Sequence, residues 1–262
     1  LRDNDPNRVS RYVNSGDALH RAFYFAPMHV PWDPQSMWDT FRDALDAAPE
    51  DLSWALSSHD DPRAPTRFGE GREGKQRSLA YSTFLFFLPG LPFIYQGDEL
   101  GLPSIEIQRE DLADPVATRN ADETDGRDGA RSPIPWEKAH ELGFTTGTPW
   151  IPMGDRTHED TAEHQRITEG SWLKSYKELI RIRGEYLDPN TSLRWTSSRD
   201  SGVLAYRRGD TISALNVDTD DSFILLPEGE WEIVFQVGVV TVEFNEVTFG
   251  VNSAAILTLI IE

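Results

Sequence analysis

Between residues 52 and 63 the chain reads Leu-Ser-Trp-Ala-Leu-Ser-Ser-His-Asp-Asp-Pro-Arg. The apolar start, centred on Trp54 to Leu56, has the texture of a buried parallel strand. It breaks off into His59, Asp60, Asp61 and Arg63, an imidazole, two carboxylates and a guanidinium. Parallel α/β folds place their active sites at the C-terminal ends of strands, so this stretch is a candidate site. Its plainer alternative is a solvated turn in which Asp61-Pro62 opens the next loop. Two further polar stretches bear on the choice. Gln96-Gly97-Asp98-Glu99 ends another short apolar run, and Gly126-Arg127-Asp128-Gly129-Ala130-Arg131 lies in a long polar segment.

The elements that must position these residues follow from the pattern. Pro6 to Asn14 reads as the end of a helix, broken at Gly16-Asp17. Ala22 to Phe25 is strand-like. A helix from Pro34 to Ala47 is expected, with Asp33 as its N-cap and Met37, Phe41 and Leu45 forming one buried stripe. Leu52 to Ser57 is the second strand, Lys75 to Leu88 a helix closed by Pro89-Gly90, and Pro92 to Tyr95 the third strand. Strands alternating with helices imply a parallel sheet. The segment from Pro103 to Thr168 is rich in Asp, Glu, Gly and Pro, and a loop of that length in a compact domain is usually functional. Gly170 to Tyr186 is helical in pattern.

From about Leu193 short strand-like runs replace the helices: 203–206, 212–215, 223–226, 231–235, 239–242 and 255–261. Strands at this spacing, separated by Gly, Asp and Asn turns, indicate an antiparallel sheet or sandwich. The expected division is therefore a first domain over 1–192, including the loop 103–168, and a second over 193–262.

Composition narrows the functions. A formal net charge of −19 opposes binding to nucleic acid or an anionic membrane, whereas neutral sugars remain compatible. The chain has no cysteine, which excludes disulfides and thiolate metal sites. His20, His29, His140, His158 and His164 show no ligand spacing, so neither a zinc site nor any cofactor is expected. No apolar run approaches the roughly 20 residues of a membrane span. The polar start Leu1-Arg2-Asp3 lacks an apolar leader, which points to a cytoplasmic location, although without an initiator methionine Leu1 need not be the natural start.

Taken in order, Ser57-Ser58-His59-Asp60, Pro92 to Gly101, Gly126 to Trp136 and Gly143 to Trp150 resemble the α-amylase superfamily of glycoside hydrolases (family 13), and within it the α-glucosidases and oligo-1,6-glucosidases. The resemblance implies strands six to eight of a (β/α)8 TIM barrel, followed by the antiparallel β-sandwich known as domain C. Strands one to five have no counterpart. With them are missing the nucleophile and the general acid/base that retaining chemistry requires, so the chain alone is expected to be inactive. The missing part of the barrel would be a partner, and a short oligosaccharide the substrate.

Residue by residue, the resemblance casts Asp60 as the carboxylate that stabilises the oxocarbenium-like transition state. His59 would bind the same glucose ring. Arg127 would close the pocket floor by pairing with an early-barrel aspartate, the alternative being a surface ion pair within its loop. Arg63 would line the cleft or brace the loop, and Glu99 would touch the leaving group at the rim, beside Asp98. Trp136 and Trp150 are expected to pack the long loop. The family usually has Asn where this chain has Ser58, a shorter side chain without an amide. Trehalose synthases and sucrose isomerases share these motifs. A reading of another class is a non-catalytic carbohydrate-binding module or the remnant of a broken gene.

Overall fold

The computed structural model describes residues 5–13, 17–48, 50–69, 71–119 and 126–260. Leu1 to Asp3, Asn14, Gly16 and Ile261 lie outside the described residues. The elements run α1 (Pro6–Ser10), β1 (Ala22–Tyr24), α2 (Ala26–His29), α3 (Pro34–Ala47), β2 (Leu52–Ala55), α4 (Ala64–Arg67), α5 (Gly71–Phe86) and β3 (Leu91–Phe93). The long segment that follows holds α6 (Pro115–Arg119), α7 (Ala162–Ile167) and several short 3-10 turns, before α8 (Trp172–Tyr186). The remaining strands are β4 (Leu193–Trp195), β5 (Val203–Arg208), β6 (Thr211–Asn216), β7 (Ser222–Leu225), β8 (Trp231–Val237), β9 (Val240–Glu243), β10 (Glu246–Phe249) and β11 (Ala254–Leu259).

Two compact units cut across this order. One comprises 1–55, 76–93 and 179–262, and the other 56–75 and 94–178. The division expected near residue 192 marks the change from parallel to antiparallel strands. The compact units instead separate the long polar segment from the sheets.

In the first unit, β1, β2 and β3 form a parallel sheet in that order, with Tyr24 opposite Trp54 and Trp54 opposite Pro92. All four residues of β2 are buried, as befits a central strand covered on both faces. Asp33 caps α3 as expected, its carboxylate accepting the Ser36 N–H at 2.8 Å. Phe41 of that helix meets Trp54 at 5.9 Å between ring centroids. The flanking strands are less covered. Phe23, Leu91 and Phe93 are exposed, and the Phe23 and Phe93 rings touch at 4.6 Å. A groove of about 300 Å³ opens beside β1, lined by Arg8, Tyr12, Leu19, Phe23 and Phe25. Full burial of side chains of this size is worth about 1.5–3 kcal/mol each, stabilisation that this surface forgoes.

The antiparallel strands make a five-stranded sheet, β4-β5-β6-β11-β8, and a three-stranded one, β7-β10-β9. Val203, Ala205, Ile212, Ala214, Ile224, Val247, Phe249 and Leu257 share a core to which both sheets contribute. The other parity of β5 is buried as well: Tyr206 donates its hydroxyl to the Phe84 carbonyl at 2.6 Å and stacks edge-on to the Phe84 ring. The larger sheet is thus covered on both faces. β4 and β10 were not among the expected strand-like runs. The expected strand at Pro92 to Tyr95 forms one residue earlier and ends at Phe93.

Candidate active site

The site lies in the second unit and begins where β2 ends. The Ser57 hydroxyl accepts the Ala64 N–H at 3.1 Å, tying the loop to the start of α4. Ser58, which stands where the family usually has Asn, accepts the Asp60 N–H at 3.1 Å and donates to the Asp61 carboxylate at 2.9 Å. A serine therefore suffices to fold this turn, a local side-chain-to-backbone bond for which its short hydroxyl is well suited. Arg67 of α4 donates back to the carbonyls of Pro62, at 3.0 Å, and Leu56. The loop from Leu56 to Pro62 is closed on itself, with His59 and Asp60 at its tip.

Asp60 meets three basic side chains. Its Oδ1 accepts from Arg127 Nη1 at 3.0 Å and from Arg131 Nη2 at 3.2 Å, with His59 Nε2 at 3.5 Å. The Asp60 side chain keeps 30% of its surface and that of His59 keeps 67%, so both remain open to a ligand. His59 and Asp60 are therefore brought together as the sequence implied.

Within this chain Arg127 pairs inside its own loop. Its Nε and Nη2 engage both oxygens of Asp114 at 2.7 and 2.8 Å, a two-pronged pairing, and its backbone N–H reaches the same carboxylate at 3.0 Å. The aspartate is one of its own loop, thirteen residues back, rather than one from early in a barrel. This is the ion pair within its loop that stood as the alternative, although only the Arg127 side chain, 33% exposed, reaches the surface and that of Asp114 is fully buried. Asp114 is in turn held by Asp128, whose Oδ2 accepts the N–H groups of Ala113 and Asp114 at 2.8 and 2.7 Å. The Arg127 hydrogen bonds hold the Asp114 carboxyl well below the usual carboxylate range, and the same bonds push the guanidinium up. Both groups are locked in their charged forms.

Neither Asp114 nor Arg131 was singled out by sequence. Asp114 sits in a stretch with four acidic residues between 103 and 119, and nothing local distinguishes it from its neighbours. Arg131 had a signal, its spacing of four from Arg127, which would have placed both on one side of a helical turn.

Arg63 is a correction. It is completely buried and so cannot contact a sugar. Its Nη1 donates to the Gln96 carbonyl at 2.6 Å, its guanidinium lies 4.9 Å from the Tyr95 ring centroid, and its backbone N–H reaches Ser104 Oγ at 2.9 Å. This is bracing of the loop. Desolvation lowers its pKa, opposed by the nearby charge of Asp98. Asp98 is buried also, and burial pushes its carboxyl up to about 6 despite a hydrogen bond from Ser57. Glu99 bends back to accept the Gly97 N–H at 2.8 Å, an attachment to its own turn. Trp150 is 78% exposed and so does not pack the loop as expected, whereas Trp136, 48% exposed, is half-buried. Among the described residues, no group of three or more His, Asp or Glu side chains is placed to hold a metal ion.

A partly open carboxylate and an exposed histidine thus stand beside an arginine fixed by a buried carboxylate, an arrangement able to hydrogen-bond hydroxyl groups. Residues 19–189 match the family described as alpha amylase, catalytic domain, and the chain belongs to that family of glycoside hydrolases. Among curated proteins it is 33% identical over 180 residues to a probable alpha-glucosidase of Rhizobium meliloti (strain 1021), an alignment covering 67% of this chain and 32% of the relative. It is 31% identical over 200 residues to the oligo-1,6-glucosidase of Parageobacillus thermoglucosidasius, covering 64% of this chain and 36% of that protein. Among solved structures, an alpha-glucosyl transfer enzyme, XgtA, superposes with a TM-score of 0.82 at 26% identity, over 97% of this chain and 49% of its own. The trehalulose synthase MutB from Pseudomonas mesoacidophila MX-45 shares the fold, with a TM-score of 0.82 at 23% identity, over 97% of this chain and 54% of its own. The chain thus spans about a third of the length of these curated relatives and half that of the solved ones.

Proposed function

We propose that this chain supplies the transition-state-stabilising side of a retaining α-glucosidase-type active site acting on short α-glucosides. The observation that carries the reading is the arrangement around Asp60, a partly open carboxylate at a strand end beside the exposed His59. An anion fixed beside a sugar ring favours the positively charged transition state over the neutral substrate, because the attraction grows as charge develops at the anomeric carbon. His59 offers a hydrogen bond to a ring hydroxyl. Arg127, held by Asp114, closes the floor and excludes water.

Retaining chemistry also needs a nucleophile and a general acid about 5–5.5 Å apart. Asp60 and Asp114 cannot take these parts together. The acid must hold a proton near neutral pH, whereas Arg127 keeps Asp114 ionised. We assign both roles to further barrel strands, which would pair with the edge of β1 and cover Phe23, Phe93 and the adjoining groove. Those strands, in the same protein or in a partner chain, complete the substrate pocket.

The test is release of p-nitrophenol from p-nitrophenyl α-glucoside by protein expressed from the whole reading frame that contains this sequence. The 262-residue chain and an Asp60→Asn variant of the whole protein are assayed beside it. The whole protein should be active, the 262-residue chain silent, and Asp60→Asn slower by about 10²–10³-fold in kcat. Equal rates with and without the Asp60 carboxylate would end this assignment. A whole protein that binds glucosides without cleaving them would favour the binding-module reading instead.

A further inference from the structure

Asp60 is held by two arginines, and they are not equivalent. Arg127 spends two of its donors on Asp114 and reaches Asp60 with Nη1 alone. Arg131 keeps Nη1 at 3.9 Å from Asp114 Oδ2 but turns its other donors to two consecutive residues of the tip: its Nε donates to the His59 carbonyl at 2.8 Å and its Nη2 to Asp60 Oδ1 at 3.2 Å. One bond fixes the backbone ahead of Asp60 and the other fixes its side chain. A single rigid guanidinium thereby sets the direction of the carboxylate relative to its own main chain. Lysine could not do this, since its ammonium is a point donor on a flexible stem.

The base of this arm is anchored. Arg131 ends a short 3-10 turn, Asp128–Arg131, in which the Ala130 carbonyl accepts the Tyr95 hydroxyl at 3.1 Å. Gly129 is pinned through its carbonyl, which accepts the Ile105 N–H at 3.3 Å and the Ser132 hydroxyl at 3.1 Å. The Arg131 side chain is 24% exposed, so its bonds are partly shielded from water and from salt.

We infer that Arg131 is a positioning residue of this site, a clamp that aligns Asp60 with the developing positive charge and acts on the reaction through that carboxylate. The inference rests on the glucosidase reading of Asp60 for its catalytic consequence, but the clamp itself is observable without turnover. A misalignment of about 1 Å at a reacting centre can cost on the order of 10²-fold in rate. Arg131→Gln removes the charge and the fork together. Arg131→Lys retains the charge and can restore only one of the two bonds.

Two measurements decide the matter. In the 262-residue chain, the Arg131 Nε–H resonance should exchange with water at least about tenfold more slowly than that of a solvated arginine, and should shift in Asp60→Asn. Exchange as fast as that of a solvated arginine, unaffected by Asp60→Asn, overturns the clamp whatever the enzyme does. In the whole protein, Arg131→Gln should lower kcat by about tenfold or more with KM within about threefold, and Arg131→Lys should recover part of the loss. Combined with Asp60→Asn it should add nothing further. The same loss in both backgrounds, or a rise in KM alone, overturns action through Asp60. If the unaltered whole protein cleaves no glucoside, the glucosidase reading fails and the exchange measurement alone decides the clamp.

Discussion

Two arginine–aspartate centres in the same unit carry the same residue types with pKa values shifted in opposite directions. At Arg127 and Asp114, hydrogen bonds dominate: the carboxyl is held down, the guanidinium pushed up, and both stay charged. At Arg63 and Asp98, burial dominates: the carboxyl is pushed up to about 6 and the guanidinium down. The geometry explains the contrast. Arg127 meets Asp114 with two matched donors. Arg63 has Nε and Nη2 buried without a hydrogen-bond partner, and Asp98 Oδ1 is likewise unpartnered. Charge in a protein interior survives where every donor meets an acceptor, and is costly where the pairing is loose. The bonded centre borders the open site at Asp60, and the dry one braces the loop that carries it.

The sharpest way to break this comparison is to remove one member of the dry centre. Arg63→Met leaves Asp98 buried without its neighbouring cation and the Gln96 carbonyl without its donor, and should destabilise the chain by about 3–5 kcal/mol in urea unfolding. Adding Asp98→Leu should return much of that loss, because removing both charges removes the desolvation cost. If the double variant is no better than Arg63→Met, the two residues are not coupled and the contrast falls.

A smaller effect lies in pH. The Asp98 carboxyl binds its proton more tightly when folded, so the folded state gains protons relative to the unfolded one between about 3.9 and about 6. Stability from this group should fall as pH rises through that window, by about 3 kcal/mol in all. In Asp98→Asn that fall should disappear. An unchanged pH profile would mean that Asp98 ionises as it would in water.

Asp114 should behave with the opposite sign. Its folded pKa is depressed, so its contribution is fully present above the unfolded value of about 4 and is lost as pH falls through the folded one. Asp114→Asn should therefore weaken the chain by a constant amount between pH 7 and 5, with the gap closing only in strong acid. A gap that closes already at pH 5 would show that Arg127 does not hold this carboxylate.

How much of this was legible beforehand varies with the range of the interaction. The N-cap at Asp33, the helix it starts and the strand at Leu52 are written locally, in spacing and in side-chain chemistry within a few residues. Most strands of the antiparallel part followed from their apolar runs, whereas β10 is four residues of alternating burial that only its partners β7 and β9 make a strand. His59 and Asp60 were evident because an apolar run, which forms β2 and ends at Ala55, gives way to them within a few residues. Which of its two expected roles Arg63 takes, bracing rather than lining the cleft, was not legible because burial is a property of neighbours 33 and 41 residues away, at Gln96 and Ser104.

By itself, then, the sequence determined the parallel and antiparallel halves, the strand-end position of His59 and Asp60, and the membership in a sugar-cleaving family. Those properties reside in short-range patterns and in ordered motifs. The partner of Arg127, the burial of Arg63 and the clamp formed by Arg131 were decided only in three dimensions. Each depends on which of many chemically similar carboxylates and guanidiniums the long loop brings within hydrogen-bond distance, and a composition crowded with aspartate and arginine does not say which.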